Sequence, residues 1–104
     1  MSYKWAMLQT DKNQKDIVKK LRCLPGISVA LKHDDILVGV CGQNLWYEIK
    51  NSDAANKKCE VFNSAKKQSQ IDLEKNWKGH YRIVTTFKEI FDDIKDVQKN
   101  MRKP

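Results

Sequence analysis

The sequence predicts an α/β domain, a small sheet with helices packed on it, in the order α-β-β-β-α-β-α. Three observations carry this reading. Helical apolar periodicity marks both ends of the chain, each stretch bounded by start or stop residues. Short apolar runs lie between, two of them joined by a tight turn. The 104 residues leave room for a single core, so these elements must share it.

The first helix is "TDKNQKDIVKKLRCLPG", where Asp11 or Asn13 can cap the start and Pro25-Gly26 ends it. Ile17, Val18, Leu21 and Leu24 fall on one face at helical spacing. "ISVALK" follows as a short strand, and "DILVGVC" and "LWYEIK" are two more. Residues 51–63 are polar and irregular, and a second helix is expected over about 65–78, ending before Gly79. "YRIVT" is the fourth strand. Thr86-x-x-Glu89 then forms a capping box for a last helix, with Phe87, Ile90, Phe91, Ile94 and Val97 on one stripe. The whole chain, 1–104, reads as one domain with an arm at 1–10 and a basic tail at 98–104.

Composition is that of an ordinary folded protein, 40% hydrophobic and 32% charged. No apolar run approaches the roughly 18 residues of a membrane span, and "MSYKWAMLQTDKNQ" lacks a signal peptide's apolar region. A cytoplasmic protein without a membrane partner is the expectation. Cys23, Cys41 and Cys59 form no C-x-x-C pair, which points to reduced, mostly buried thiols. The net charge of +7 favours a polyanionic partner, nucleic acid being the commonest. Between positions 50 and 67, Lys50, Lys57, Lys58, Lys66 and Lys67 stand against only Asp53 and Glu60, and Lys57, Lys58, Lys66 and Lys67 are the candidate phosphate contacts. The tail adds Lys99, Arg102 and Lys103. A solvated loop and tail would have the same composition.

Chemistry is concentrated in "DDILVGVCGQNLWYEIK", Asp34 to Lys50, where two carboxylates open an apolar run that closes on Glu-Ile-Lys. "CGQN" suits a type II′ hairpin with Gly42 at the first central position. That register sets Val38 opposite Tyr47, Leu37 opposite Glu48 and Asp35 opposite Lys50. Asp35, Glu48 and Lys50 then share one face, with Asp35 and Glu48 as diagonal neighbours roughly 7–8 Å apart at the backbone. Two converging carboxylates, with the Ile49 carbonyl also available, are suited to Mg²⁺, which takes a few oxygen ligands and keeps several waters. Lys50 is placed to orient a water or hold a phosphate. The same geometry also accommodates a plain Asp35–Lys50 salt bridge with Glu48 solvated.

The D-x12-E-x-K pattern across a hairpin resembles the PD-(D/E)XK nuclease superfamily, and more closely the small phage- and prophage-type VRR-NUC (virus-type replication-repair nuclease) domains. "DKNQKDIVKKLR" resembles that family's opening helix, "DILVGVCGQNLWYEIK" its central D…E-x-K core, and "QIDLEKNWKGHYRIV" its Q-x6-W-x-G segment and closing strand. The similarity runs from about Asp11 to Ile94. It implies a restriction-endonuclease-like mixed sheet flanked by helices. It also implies a Mg²⁺- or Mn²⁺-dependent deoxyribonuclease, an endonuclease acting as a homodimer on branched DNA such as junctions or flaps. Asp35 and Glu48 would be metal ligands, Lys50 the catalytic lysine and Gln70 the supporting glutamine. Asp16 matches a first-helix Glu that can complete metal binding, but is shorter by a methylene. Gln70 shares a helix face with Leu73 and Trp77, so it should point inward.

Two departures stand out. Asp34 replaces the family's proline and adds a third carboxylate beside Asp35, which raises the rival expectation of a catalytically impaired nucleic-acid-binding or inhibitory protein on a nuclease scaffold. The second helix lacks the family's T-P start; "SAKKQ" stands there, with Ser64 a candidate earlier cap. His33 is read as exposed, although it could contact the scissile phosphate, and His80 as structural. Trp5, in the arm, is a candidate for a dimer contact or for DNA stacking.

Overall fold

The computed structural model describes residues 13–32, 35–58 and 60–101. The arm at 1–10 with Trp5, the candidate cap Asp11, and His33, Asp34, Cys59, Arg102 and Lys103 lie outside the described residues.

Seven elements follow in the expected order. They are α1 (13–22 of the described residues), β1 (Ile27–Lys32), β2 (Asp35–Val40), β3 (Gln43–Ile49), α2 (Gln68–Asn76), β4 (Tyr81–Val84) and α3 (Phe87–Met101). The strands form one mixed sheet in the order β1-β2-β3-β4. β1–β2 and β2–β3 are antiparallel, and β3–β4 is parallel. A parallel neighbour needs a crossover, and the segment carrying α2 supplies it.

Alternation along β2 and β3 separates two faces. Ile36, Val38 and Val40, with Leu45, Tyr47 and Ile49, face a core built with Ile17, Val18 and Leu21 of α1 and Ile90 and Ile94 of α3. Burying each such side chain contributes about 1.5–3 kcal/mol, which is what fixes strand register against one-residue slips. The opposite face carries Asp35, Leu37, Trp46 and Glu48, and α2 packs over it near β4.

Local chemistry explains the boundaries. α1 ends at residue 22, where the Cys23 and Leu24 amides donate to the Lys20 and Leu21 carbonyls, and the turn that follows closes on Gly26 with a left-handed φ of 75°. α2 is shorter than the periodicity suggests. Residues Asn63–Ala65 form a separate 3-10 turn, and Lys66 and Lys67 are extended, so Ser64 does not cap the helix. α3 starts at the expected box, with the Glu89 amide donating to Thr86 Oγ1 (3.4 Å) and the Thr86 hydroxyl donating to Glu89 Oε1 (2.9 Å). The helix continues through Met101, so 98–101 of the expected tail is helical. Asn13 lies within α1 and donates to the Lys50 carbonyl (3.1 Å), tying helix to sheet rather than capping.

Two further expectations are corrected. Cys23 and Cys41 are exposed rather than buried, because both sit in turns that the core does not cover. The hairpin loop is Cys41-Gly42 rather than Gly42-Gln43, with φ of 52° and 77°. Two successive left-handed residues define a type I′ turn, which needs glycine most at its second position. Asp35 therefore faces Glu48 rather than Lys50, and Leu37 faces Trp46.

No helix among the described residues is long and apolar enough to cross a membrane.

Candidate active site

The register correction moves the pairing by two residues, which preserves the face and brings the acids closer. Asp35 and Glu48 are directly opposed, with Cβ atoms expected about 4.5–5.5 Å apart. Glu48 is 6% exposed, so the alternative in which it is solvated does not hold. Its pKa is pushed up to about 8, by burial first, then by the hydrogen bond to Asp35 and by that group's charge. Lys50 opposes the shift, its ammonium 3.5 Å from Glu48 Oε1. The lysine thus pairs with Glu48, and no Asp35–Lys50 salt bridge forms among the described contacts.

The pair lies in a cleft of about 690 Å³ between the sheet and α2. Gln70 comes from the first turn of α2, is buried and lines the cleft, as its helical position predicts. Its Oε1 accepts the Lys67 backbone N–H (3.0 Å), which both holds the helix start and fixes the side chain. That bond leaves the amide NH₂ as the donor end. Lys67 lines the same cleft.

An aromatic wall closes the site. Trp46 Nε1–H donates to Asp35 Oδ2 at 2.8 Å, and its ring meets Tyr81 edge-on at 4.7 Å and Trp77 at 5.3 Å. Burial pushes the Tyr81 hydroxyl pKa up, reinforced by the nearby charges of Asp35 and Glu48, so it stays a neutral phenol. Trp46 was not among the sequence candidates. The signal was present nonetheless, since it precedes Glu48 by two residues and must share its face.

The remaining candidates separate. Asp16 is exposed on α1. Among the described residues no group of three or more His, Cys, Asp or Glu side chains converges on one point. Any cation here would rest on Asp35 and Glu48, with the Ile49 carbonyl adjacent in β3. Lys57 and Lys58 are exposed in a loop folded around Asn56, whose Oδ1 accepts the N–H of Lys58 (2.9 Å) and of Glu60 (3.1 Å). Lys66 is not a free surface cation, for it pairs with Glu74 at 2.8 Å.

His80 holds the sheet together. Its Nδ1 accepts the Trp46 backbone N–H (3.1 Å), extending the β3–β4 ladder by one bond before β4 begins. Beyond it, on the core side, Asp93 of α3 accepts from the Tyr47 hydroxyl (2.7 Å) and from Arg82 Nη1 (2.9 and 3.0 Å).

No family model matches the chain, and no curated protein or solved structure matches it.

Proposed function

We propose that the chain is a metal-dependent DNA endonuclease hydrolysing phosphodiester bonds. One observation carries the reading: Asp35 and Glu48 oppose each other across a hairpin inside a cleft, with Lys50 3.5 Å from Glu48. A buried pair of like-charged groups is costly unless a proton or a cation sits between them.

The donor set fits a hard divalent cation such as Mg²⁺ or Mn²⁺, which favours carboxylate oxygens. When bound, such an ion acidifies a water and neutralises charge building on a phosphate. The chain's own groups supply the rest. Trp46 fixes the Asp35 rotamer through Oδ2, leaving the other oxygen for the cleft. Lys50 can orient a nucleophilic water or hold a phosphate oxygen, while Gln70 offers its amide donors from the opposite wall. Exposed Lys57, Lys58 and Lys67 supply the sequence-independent attraction for the DNA backbone. The family resemblance further supports a homodimer acting on junctions or flaps.

The test is cleavage of labelled branched and linear DNA by the purified protein with Mg²⁺, with Mn²⁺ and with EDTA. Cleavage that requires metal and disappears in Glu48→Gln is expected. Intact DNA under every condition overturns the reading. It would leave the second one, a nucleic-acid-binding or inhibitory protein on a nuclease scaffold. A specific contact favours that rival, because Trp46 already occupies one oxygen of Asp35. Metal affinity separates the two: the rival needs none.

A further inference from the structure

We propose that Trp77 is a stacking platform for one unpaired nucleobase of the strand whose backbone enters the Asp35–Glu48 cleft. The inference rests on the nucleic-acid reading above and deepens it: the substrate would be single-stranded, or locally unpaired, beside the site.

Trp77 is anchored yet uncovered. Its backbone N–H closes α2 on the Leu73 carbonyl (2.9 Å), and the chain then leaves the helix with ψ of 129°. The ring meets Trp46 edge-on at 5.3 Å with an interplanar angle of 85°. Gly79 makes room for it: a Cβ there would lie 3.0 Å from the indole nitrogen, closer than side chains normally pack. Despite these restraints the residue is 51% exposed, one of the few large apolar side chains left to solvent among the described residues. A rigid aromatic that the protein itself does not cover has little entropy left to lose on stacking.

Its position selects the ligand. Trp77 lines the carboxylate cleft and also a second depression of about 370 Å³ with Ser69, Asp72, Leu73 and Asn76. A ligand spanning both would place an anionic part at the acid–metal site and a flat part against the indole. A nucleotide has that division, with phosphate at one end and a π face at the other. Lys67 in the cleft, with exposed Lys75 and Lys78 near Trp77 in sequence, complements a backbone in a chain of net charge +7. Stacking tolerates any base, which suits a site with no recognition helix entering a groove.

The experiment measures binding with Ca²⁺ in place of Mg²⁺ or Mn²⁺, a hard cation that can neutralise the acids, so cleavage is not the readout. Full-length protein is titrated into fluorescein-labelled oligothymidylate and into an abasic strand of equal length, followed by anisotropy. Trp77→Ala should weaken oligothymidylate binding by about 10-fold and leave the abasic strand unchanged, with Trp77→Phe restoring most of the loss. A second readout does not depend on how the alanine variant folds: in a Trp5→Phe background, indole fluorescence should be quenched by oligothymidylate and not by the abasic strand, and that quenching should be lost when Trp77→Phe leaves Trp46 as the remaining indole. Equal affinities in wild type and Trp77→Ala, or equal losses on both strands, overturn the proposal, as does absence of quenching. A wild-type dimer that Trp77→Ala converts to monomer also overturns it, since a second copy would then cover the ring. Quenching without any metal-dependent cleavage would defeat the nuclease reading alone; cleavage without quenching would defeat the stacking proposal alone.

Discussion

Two polar clusters lie on opposite faces of the same sheet, and they handle charge in opposite ways. On the α3 side, Asp93 is met by the Tyr47 hydroxyl, by Arg82 and, at 3.6 Å, by His80, while Arg82 also reaches Glu89 at 3.4 Å. Each acid there has a donor or a cation. On the α2 side, Asp35 takes a donor from Trp46 and Glu48 has Lys50 nearby, but the two acids also oppose each other directly across the hairpin. The first cluster resolves its electrostatics within the chain and reads as structural. The second keeps a carboxyl pKa raised to about 8, because two acids are crowded together where water is excluded.

The sharpest way to break the contrast is to remove one acid from each face. Glu48→Ala should lower metal-dependent cleavage by on the order of a thousand-fold or more, because a metal ligand carries several kcal/mol of transition-state stabilisation. Its melting temperature should hold or rise above about pH 8, where both acids are charged in the wild type and repulsion is relieved. Equal cleavage by both purified proteins would remove Glu48 from the site. Lys50→Met comes next, with an expected loss of about 100-fold in cleavage rate and only a small change in melting temperature. Full activity would return Lys50 to a plain partner of Glu48.

Asp93→Ala should behave in the reverse manner. It strands a buried tyrosine hydroxyl and an arginine, so denaturant unfolding should show a loss of about 2 kcal/mol. Any cleavage activity measured well below the melting temperature should be unchanged. A stable Asp93→Ala protein with impaired cleavage would merge the two clusters into one functional unit.

The pH dependence of stability sharpens the same point. Glu48 titrates near 8 when folded against an ordinary value of 4.5, so the folded state holds the extra proton between these values. Stability from this group is fully present below pH 4.5 and falls as pH rises through about 8, by at most about 1.4 kcal/mol per pH unit. Glu48→Gln should flatten that part of the profile. A profile identical in wild type and variant would mean that the acids are not coupled.

The smallest effect concerns the basic segment. Replacing Lys57, Lys58, Lys66 and Lys67 with Gln should reduce the salt dependence of DNA binding by up to about 0.9 log units per contacting lysine. Lys66 should add least, since Glu74 already holds it. An unchanged slope would place the DNA elsewhere.

What the sequence made legible follows from parity. The hairpin turn type was misassigned, yet Asp35, Glu48 and Lys50 kept their common face because the error shifted the pairing by two residues rather than one. Gln70 was legible from helical spacing, and α3 from Thr86 and Glu89. Long-range partners chosen by tertiary packing were not. The Trp46–Asp35 bond depends on how the indole rotates, and His80 joins the ladder only because β4 begins one residue later. The start of α2 also escaped prediction, since lysines at 66 and 67 carry no local capping signal.

The central claim is that Asp35 and Glu48 hold a proton that a divalent cation displaces. Calorimetric titration of Mn²⁺ into the full-length protein at pH 7, repeated in buffers of different ionisation enthalpy, measures affinity and proton release together. Saturable binding with release of up to one proton is expected in wild type, and loss of both in Glu48→Gln. Absence of Mn²⁺ binding, or equal binding and proton release in Glu48→Gln, would contradict it.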